Sequence, residues 1–591
     1  MTVHHDHRGY RPAPGPSVSD RLSPFWRWLS EVMWRLEHGF ERAKADARPE
    51  EDTRVRIFLV LIVFSVVFGA LALGATHAAL FADKGRLWAA ANPHALVRGD
   101  LTDRNGELLA TNITHYGLYI DPAEVWDKRL AFTQLRRAIP RLPAKRLNKV
   151  LDGDRRLIVL TGLTPSEREA VHALALGGVS FEPEDRRVYP LGTSAVHLIG
   201  DADTGGQGVA GAELAFNDEV RAAGQRGESF PLSIDLRVQG VLENELARAA
   251  TETGSKGAVG IIADVQTGEV LGMASWPTFN PAERARASEG ATLNRAVSAH
   301  YEMGSVFKSF TVAAGIDTGR ADMNTLFDAS QAFQIGTRKI KDFHAQNRVM
   351  TLEEVYLHSS NIGTSQLAVE MGPDVMRTYF TNLGLLAAAP IELKESARPV
   401  VPRKWDNSTL ASLSFGYGIM ATPAQVSAAM GALTNGGRYI PLSLRKGGAP
   451  GARPRQAVSE QTSLTMLDLL RRNVVRGSGG LADAPGLRVG GKTGSANKLV
   501  NGRYDPSHAV GSFAAVFPAD GPLNARRYSI LILMDEPSQY PKTGGYVAAP
   551  AVGRIADRIA GFLGVERRAD RYRTATGEKV PAFQDIEGDG R

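Results

Sequence analysis

Cysteine is missing altogether from the 591 residues, which excludes a disulfide scaffold, Cys-ligated zinc, iron–sulfur centres and a cysteine nucleophile. Its absence suits a chain in an oxidising compartment that uses no disulfides. Charge of one sign is barely in excess: 69 Lys+Arg stand against 63 Asp+Glu, a net +6. Spread along the chain, that excess makes no case for a nucleic-acid groove. A wholly disordered chain and a collagen are excluded by 43% hydrophobic and 22% charged residues. Apolar runs of spanning length are also scarce, which rules out a multi-span membrane protein. At the usual 100–200 residues per domain, the length predicts about three to four domains with sizeable cores.

One long apolar run does occur. From Ile57 to Ala82 there is no charged residue. At about 1.5 Å per residue the run can cross a hydrocarbon layer of roughly 30 Å. It starts too late and runs too long for a cleaved signal peptide, so it reads as a retained signal anchor. Arg35, Arg42, Lys44, Arg48, Arg54 and Arg56 flank its N-terminal side, against Lys84, Arg86 and Arg98 on the other. The positive-inside rule then puts the N-terminus in the cytoplasm and everything after residue 82 outside. Tyr528–Met534 is too short for a second span. In the polar tail 1–56, Trp26, Leu29, Met33 and Leu36 recur at near-helical spacing, a pattern of helices lying on a membrane surface. Trp28 and Trp34 fall off that face.

Residues 83–228 mix short strand-like runs, such as Gly117–Ile120 and Leu157–Leu160, with charged stretches. No cluster of His or carboxylates stands there at catalytic spacing, which points to a structural or docking module. From about Phe230 the texture changes. Leu232–Leu236 reads as a strand and Val238–Ala250 as a helix. Gly257–Asp264 and Glu269–Ser275 read as strands around a Gln266-Thr267-Gly268 turn. Helical runs fill 304–435, and strands return at 487–492 and 528–534. Strands, then helices, then strands predict an α+β domain. The charged, Gly-rich residues past about 566 read as a loose tail.

Three short motifs follow in order. Ser305-Val306-Phe307-Lys308 opens an apolar helical run, preceded by Gly304 and closed near Gly319. Spacing of i,i+3 sets Ser305 and Lys308 on one face, one turn apart. A helix N-terminus at that point offers free N–H groups and positive potential to an oxyanion. Phe307, Phe310 and Val312 can desolvate the lysine. To act as a base near neutrality, it must lose about three pKa units from about 10.4, roughly 4 kcal/mol of differential stabilisation. Ser359-Ser360-Asn361 follows the helical stretch T-L-E-E-V-Y-L-H. Lys492-Thr493-Gly494 ends a strand-like L-R-V-G-G. Such a Lys/Thr pair can hold a carboxylate, and the glycine lets a substrate backbone approach the strand.

Each pattern alone is weak. Ser-x-x-Lys also matches Ser443–Lys446 and Ser495–Lys498, and Lys-Thr-Gly recurs at Lys542–Gly544. Ser443 follows Pro441 and Lys446 runs into glycines, so no helix holds that pair; Lys542 sits in a Pro/Ser/Gly loop. Gly486–Thr493 fits the phosphate-loop pattern G-x-x-x-x-G-K-T, and Asp535-Glu536 ends an apolar strand as a Mg²⁺-binding aspartate does. A phosphate loop, however, needs a helix directly after Lys-Thr, and Gly494, Gly502 and Pro506 do not make one. Arg98-Gly99-Asp100 spells an adhesion tripeptide, three residues that carry almost no information.

With Tyr301-Glu302-Met303-Gly304 ahead of Ser305, the three motifs resemble the triad of the penicillin-binding proteins. R-G-D-L-T-D-R-N-G-E-L-L-A (98–110), R-V-Y-P-L-G-T-S-A-V-H-L-I-G (187–200) and G-V-A-G-A-E (208–213) are similar to the class B branch. S-F-G-Y-G-I-M-A-T-P-A-Q (414–425), N-G-G (435–437) and Ser-Ser-Asn are most similar to its division-specific, FtsI-type members. Met303 stands where Pro is usual, Val306 and Ser495 where Thr is usual; none of these removes a reacting group.

The resemblance implies acyl transfer on peptidoglycan stem peptides. Ser305 attacks the penultimate D-Ala carbonyl, and Lys308 takes its proton. Ser359 relays a proton to the leaving amine, with Lys492 nearby, and Asn361 holds the donor's amide. Lys492 and Thr493 grip the terminal carboxylate, with Gly494 beside them. The N–H groups of Ser305 and Ser495 form the oxyanion hole. An amine of a neighbouring stem then resolves the acyl-enzyme. No metal, cofactor or nucleic acid is implied, and β-lactams acylate Ser305 as substrate mimics. The implied layout is a cytoplasmic tail (1–56), a transmembrane anchor (57–82), an extended pedestal or dimerisation-like domain (83–228), a transpeptidase domain with an antiparallel sheet packed by helices (229–565), and a tail (566–591). It implies a single-pass protein of the inner membrane, its catalytic domain periplasmic, partnered by an FtsW-type glycan polymerase and other division proteins. An elongation-type transpeptidase, a D,D-carboxypeptidase or a β-lactamase would use the same motifs, and a non-catalytic scaffold or β-lactam sensor would keep the fold. The intact reacting groups argue against the last.

Overall fold

A computed structural model describes parts of 28–38, residues 49–81, and residues 98–568 apart from 452. The stripe of Trp26, Leu29, Met33 and Leu36, most of the tail 1–56, and residues 569–591 lie outside the described residues. The chain divides into two units, Met1–Asp83 and Lys84–Arg591.

In the first unit, helix α1 spans Pro49–Phe81. Its described side chains include Val63, Phe64, Val66, Phe68 and Leu73, each more than half exposed. Among the described residues, which leave out several α1 side chains, no helix is long and apolar enough to cross a membrane.

The second unit begins with a five-stranded sheet: β1 (Leu101–Thr102), β2 (Leu108–Ile120), β3 (Leu157–Leu163), β4 (Val179–Val188) and β5 (Phe230–Pro231). The spine is β2, which pairs antiparallel with β4 over Thr111–Ile120 and with β3. The strands expected at Gly117–Ile120 and Leu157–Leu160 are both present, each part of a longer strand. Helices α2 (Lys128–Ala138), α3 (Ala144–Leu151) and α4 (Pro165–His172) cover the far end. Asp127 starts α2 by accepting the N–H groups of Arg129 and Leu130 at 3.0 and 2.9 Å. Ala131 and Leu135, spaced i,i+4, then pack against Leu118, Ile120 and Val159.

Three of the resemblance-bearing stretches converge at the other end of this sheet. Arg98 lies 2.5 Å and Arg187 2.7 Å from the Glu213 carboxylate, and all three side chains are buried. Arg98 also donates to Gly206 O at 3.0 Å and to Asn217 Oδ1 at 2.8 Å. The Arg98-Gly99-Asp100 tripeptide is therefore no adhesion motif, because its arginine is committed to the interior.

The catalytic-side sheet is fully antiparallel. Its members are β6 (Gly257–Asp264), β7 (Val270–Trp276), β8 (Gly490–Val500), β9 (Arg503–Phe517) and β10 (Tyr528–Asp535), in the order β8-β9-β10-β6-β7. Every residue of β6 is buried, because both of its faces are covered. With period 2, Ala258 and Ile262 face α5 (Leu236–Thr253) and α9 (Ala549–Ile559). Val259 and Ile261 face the large core shared with α6 (Lys308–Asp317), α7 (Asn361–Asn382) and α8 (Glu460–Arg476). The expected strand at Leu232–Leu236 does not form. Phe230–Pro231 pairs with β1, Leu232 makes a single bridge to Arg445, and the Asp235 carboxylate accepts the Arg237 N–H at 3.0 Å, so Leu236 already lies inside α5. Of the expected tail from about 566, the first residues are described and are held in place: Arg567 pairs with Asp557 at 2.6 Å and Arg568 with Asp520 at 3.2 Å.

Candidate active site

The predicted nucleophile sits in a tighter turn than its spacing suggests. Gly304–Phe307 is a 3₁₀ turn, and α6 begins only at Lys308. In a 3₁₀ turn residues i and i+3 eclipse, which stacks Ser305 over Lys308 more closely than an α-helix would. The cause is the edge strand β8. Gly304 has φ +52°, and a Cβ on it would lie 2.2 Å from the Ser495 carbonyl. One on Gly494 would lie 2.2 Å from the Met303 carbonyl and 2.4 Å from Ser512 Oγ. The two bare positions let the turn close onto the strand. The Cβ side of Gly494 meets the chain's own backbone, which is a second reason for a glycine there. Lys492-Thr493-Gly494 also lies within β8 and does not end it. With a strand on both sides of Lys-Thr, the phosphate-loop alternative fails.

Two lysines are fully buried beside the turn. Lys308 Nζ donates to Ser359 Oγ at 3.1 Å and to the Ser359 carbonyl. Burial holds its pKa well below the ordinary lysine value, the charge of Lys492 lowers it further, and the Asp342 carboxylate opposes both. Burial alone pushes Lys492 down to about 7. Lys492 Nζ lies 5.6 Å over the Tyr356 ring and 3.4 Å from Thr493 Oγ1. Ser359 itself has φ +57°, a strained conformation set by the helix end before it and the helix start after it. The preceding helix, Leu352–Leu357, is closed by a capping box at its own start, Thr351 with Glu354. Ser360 caps α7, its Oγ accepting the Gly363 N–H at 3.1 Å and donating to Asp342 Oδ2 at 2.7 Å. Asn361 donates its side-chain N–H to Lys341 O at 3.0 Å.

Ser305, Lys308, Ser359, Lys492, Thr493, Gly494 and Ser495 thus converge, from three separated parts of the sequence. Ser305 is partly exposed and Ser495 exposed, while both amines are buried. The decoy motifs are used otherwise. Ser443 Oγ donates to Glu392 at 2.6 Å, and Lys498 pairs with Asp535 at 2.5 Å and Glu536 at 2.8 Å. Lys542 of the second Lys-Thr-Gly lies in a loop, as expected, but Gly544 opens the short helix Gly544–Val547 and borders the site: its N–H donates to Ser495 Oγ at 3.0 Å. Reasoning from sequence missed Asp342, Tyr356, Ser478 and Gly544. None carries a local signal; each is brought in by long-range contacts. Among the described residues no group of three or more His, Asp or Glu is placed to hold a metal ion. A hydroxyl beside two amines of lowered proton affinity is equipped for nucleophilic acyl transfer.

Comparison with known proteins bears on the same regions. Residues 258–557 match the penicillin-binding protein transpeptidase domain, and residues 95–217 the penicillin-binding protein dimerisation domain. A probable peptidoglycan D,D-transpeptidase FtsI of Caulobacter vibrioides is 52% identical over 573 residues, covering 95% of this chain and 97% of that one. The peptidoglycan D,D-transpeptidase FtsI of Escherichia coli K12 is 29% identical over 520 residues, covering 82% and 86%. A crystal structure of penicillin-binding protein 3 from Mycobacterium tuberculosis, complexed with aztreonam, matches with a TM-score of 0.63 at 25% identity, covering 80% of this chain and 97% of that one. The chain belongs to the penicillin-binding proteins, in the class B branch that joins a dimerisation domain to a transpeptidase domain, and is of the FtsI type.

Proposed function

We propose that this chain is a peptidoglycan D,D-transpeptidase that cross-links stem peptides through a Ser305 acyl-enzyme, in wall synthesis during division. The observation that carries the reading is the pair of buried lysines, Lys308 and Lys492, set against Ser359 beside the Ser305 turn. Lys308, its proton affinity lowered by burial, takes the Ser305 proton as the hydroxyl attacks the penultimate D-Ala carbonyl. The oxyanion forms against the N–H groups of Ser305 and Ser495; the close approach of Gly304 to Ser495 supports that reading. Ser359 hands a proton to the departing D-Ala amine, and Asn361 holds the donor's amide. Lys492 and Thr493 hold the terminal carboxylate. An amine of a second stem then displaces Ser305, restoring the hydroxyl.

Residues 1–56, 57–82, 83–228, 229–565 and 566–591 serve as cytoplasmic tail, membrane anchor, pedestal, transpeptidase domain and tail. The anchor reading is supported by the charge-free run from Ile57 to Ala82, its basic N-terminal flank and the exposed apolar side chains of α1. It puts the catalytic region outside the inner membrane, with an FtsW-type glycan polymerase and other division proteins as partners.

Intact-mass analysis of the full-length chain with a fluorescent penicillin tests the chemistry. One slowly lost adduct, mapping to Ser305 and absent from Ser305→Ala, is expected. No adduct on the natural chain overturns the acyl-enzyme reading, and rapid adduct loss makes the chain a β-lactamase.

The pH profile gives a second test. Acylation needs neutral Lys308, so its rate is expected to rise with pH until that lysine has lost its proton. The charge of Lys492 helps to lower the Lys308 pKa. Lys492→Met removes that charge, so the midpoint of the profile should move to higher pH, whatever happens to the maximal rate. An unmoved or lowered midpoint contradicts the assignment of Lys308 as base.

A further inference from the structure

Ser478 belongs to none of the three motifs, yet its hydroxyl reaches the carboxylate-binding strand. It is exposed and follows α8 directly, between Gly477 and Gly479. The loop is folded around Asn473, with no room for a side chain at Gly477, where a Cβ would lie 2.5 Å from Asn473 Oδ1. Asn473 Nδ2 donates to the Gly491 carbonyl at 2.7 Å, which fixes Oδ1 toward Ser478 at 3.3 Å. Ser478 Oγ lies 2.8 Å from Thr493 Oγ1, and Lys492 Nζ lies 3.4 Å beyond on the same oxygen.

Each hydroxyl in this chain has one proton to give. In one sense Lys492 donates to Thr493, Thr493 to Ser478 and Ser478 to the Asn473 side-chain carbonyl, and the Thr493 proton points away from the cleft. In the other sense Ser478 donates to Thr493, and the Thr493 proton is free for an anionic oxygen in the cleft. The first sense ends on the 3.3 Å contact, longer than the usual 2.5–3.0 Å of an O–H···O bond. The second ends on a charge-assisted bond, roughly twice as strong as a neutral one. An arriving carboxylate therefore reverses the chain.

We propose that Ser478 is a substrate-positioning residue of this site, whose hydroxyl sets Thr493 to donate to the terminal carboxylate of the donor stem peptide. This rests on the Ser305 acyl-enzyme reading above. The test compares acylation of the full-length chain by benzylpenicillin and by its methyl ester, in the natural chain, Ser478→Ala and Ser478→Thr. Ser478→Ala should slow the free acid about tenfold or more, the range of a lost bond to a charged group. The loss should appear as weaker binding, and the ester should be unaffected. Ser478→Thr, which restores a hydroxyl, should keep the natural ratio of acid to ester. Equal slowing of acid and ester, or no slowing of either, overturns the proposal while leaving Ser305 as nucleophile. Failure of the natural chain to acylate at all overturns the underlying reading and this one with it.

Discussion

Lys308→Met is expected to slow acylation by benzylpenicillin about a thousandfold, inside the 10²–10⁴ range of a lost general base. The lysine is wholly buried, and its amine meets Ser359 twice. Methionine keeps most of the length and removes the proton acceptor, so the loss reports chemistry and not collapse of the turn. The thermal midpoint should stay near that of the natural chain, because a thioether needs no hydrogen-bond partner in the core. Lys308→Arg should not rescue the rate, since a guanidinium stays charged at any working pH. The measurement is the labelling rate with a fluorescent penicillin. A Lys308→Met rate close to the natural one would move the base role elsewhere, with Lys492 the next group to examine.

The largest loss of stability is expected from Glu213→Ala. The Glu213 carboxylate pairs with both buried guanidiniums, Arg98 and Arg187. Removing it leaves two desolvated positive charges facing each other, and breaking a buried pair in this way costs about 3–5 kcal/mol. Replacing the whole cluster with apolar residues would cost less than removing its centre, because no charge would then be stranded. Urea unfolding followed by the pedestal's signal should show a lowered midpoint for Glu213→Ala. A shift below about 1 kcal/mol, the value of an exposed pair, would mean that water reaches the cluster.

These two sites show what the sequence makes legible. The catalytic motifs are short and local, so Ser305, Lys308, Ser359 and Lys492 stand out before any fold is known. Strands such as Gly257–Asp264 and Tyr528–Asp535 are equally plain, because a strand buried on both faces is a continuous apolar run. Boundaries governed by caps and close approaches are less so. The helix at Leu236 starts where Asp235 caps it, and the turn at Ser305 tightens because Gly304 and Gly494 let β8 in. Arg98, Arg187 and Glu213 are visible only as parts of separate stretches. Nothing along the chain says that they meet. Ser478 and Asp342 are silent for the same reason, since their roles exist only once distant segments have come together.

The strand order also fixes when the molecule becomes competent. β6 and β7 are made early, yet β6 finds its second neighbour only in β10, which ends at Asp535. Ser305, Lys308 and Ser359 all lie in the long excursion between, while Lys492 arrives with the last three strands. Closing so long a loop is slow, and until it closes β6 is an open apolar edge. A nascent chain, or one clipped before β8, therefore carries Ser305 without Lys492. Copies that lack the last strands leave β6 without its second neighbour, and are expected to be the ones most exposed to proteolysis and aggregation.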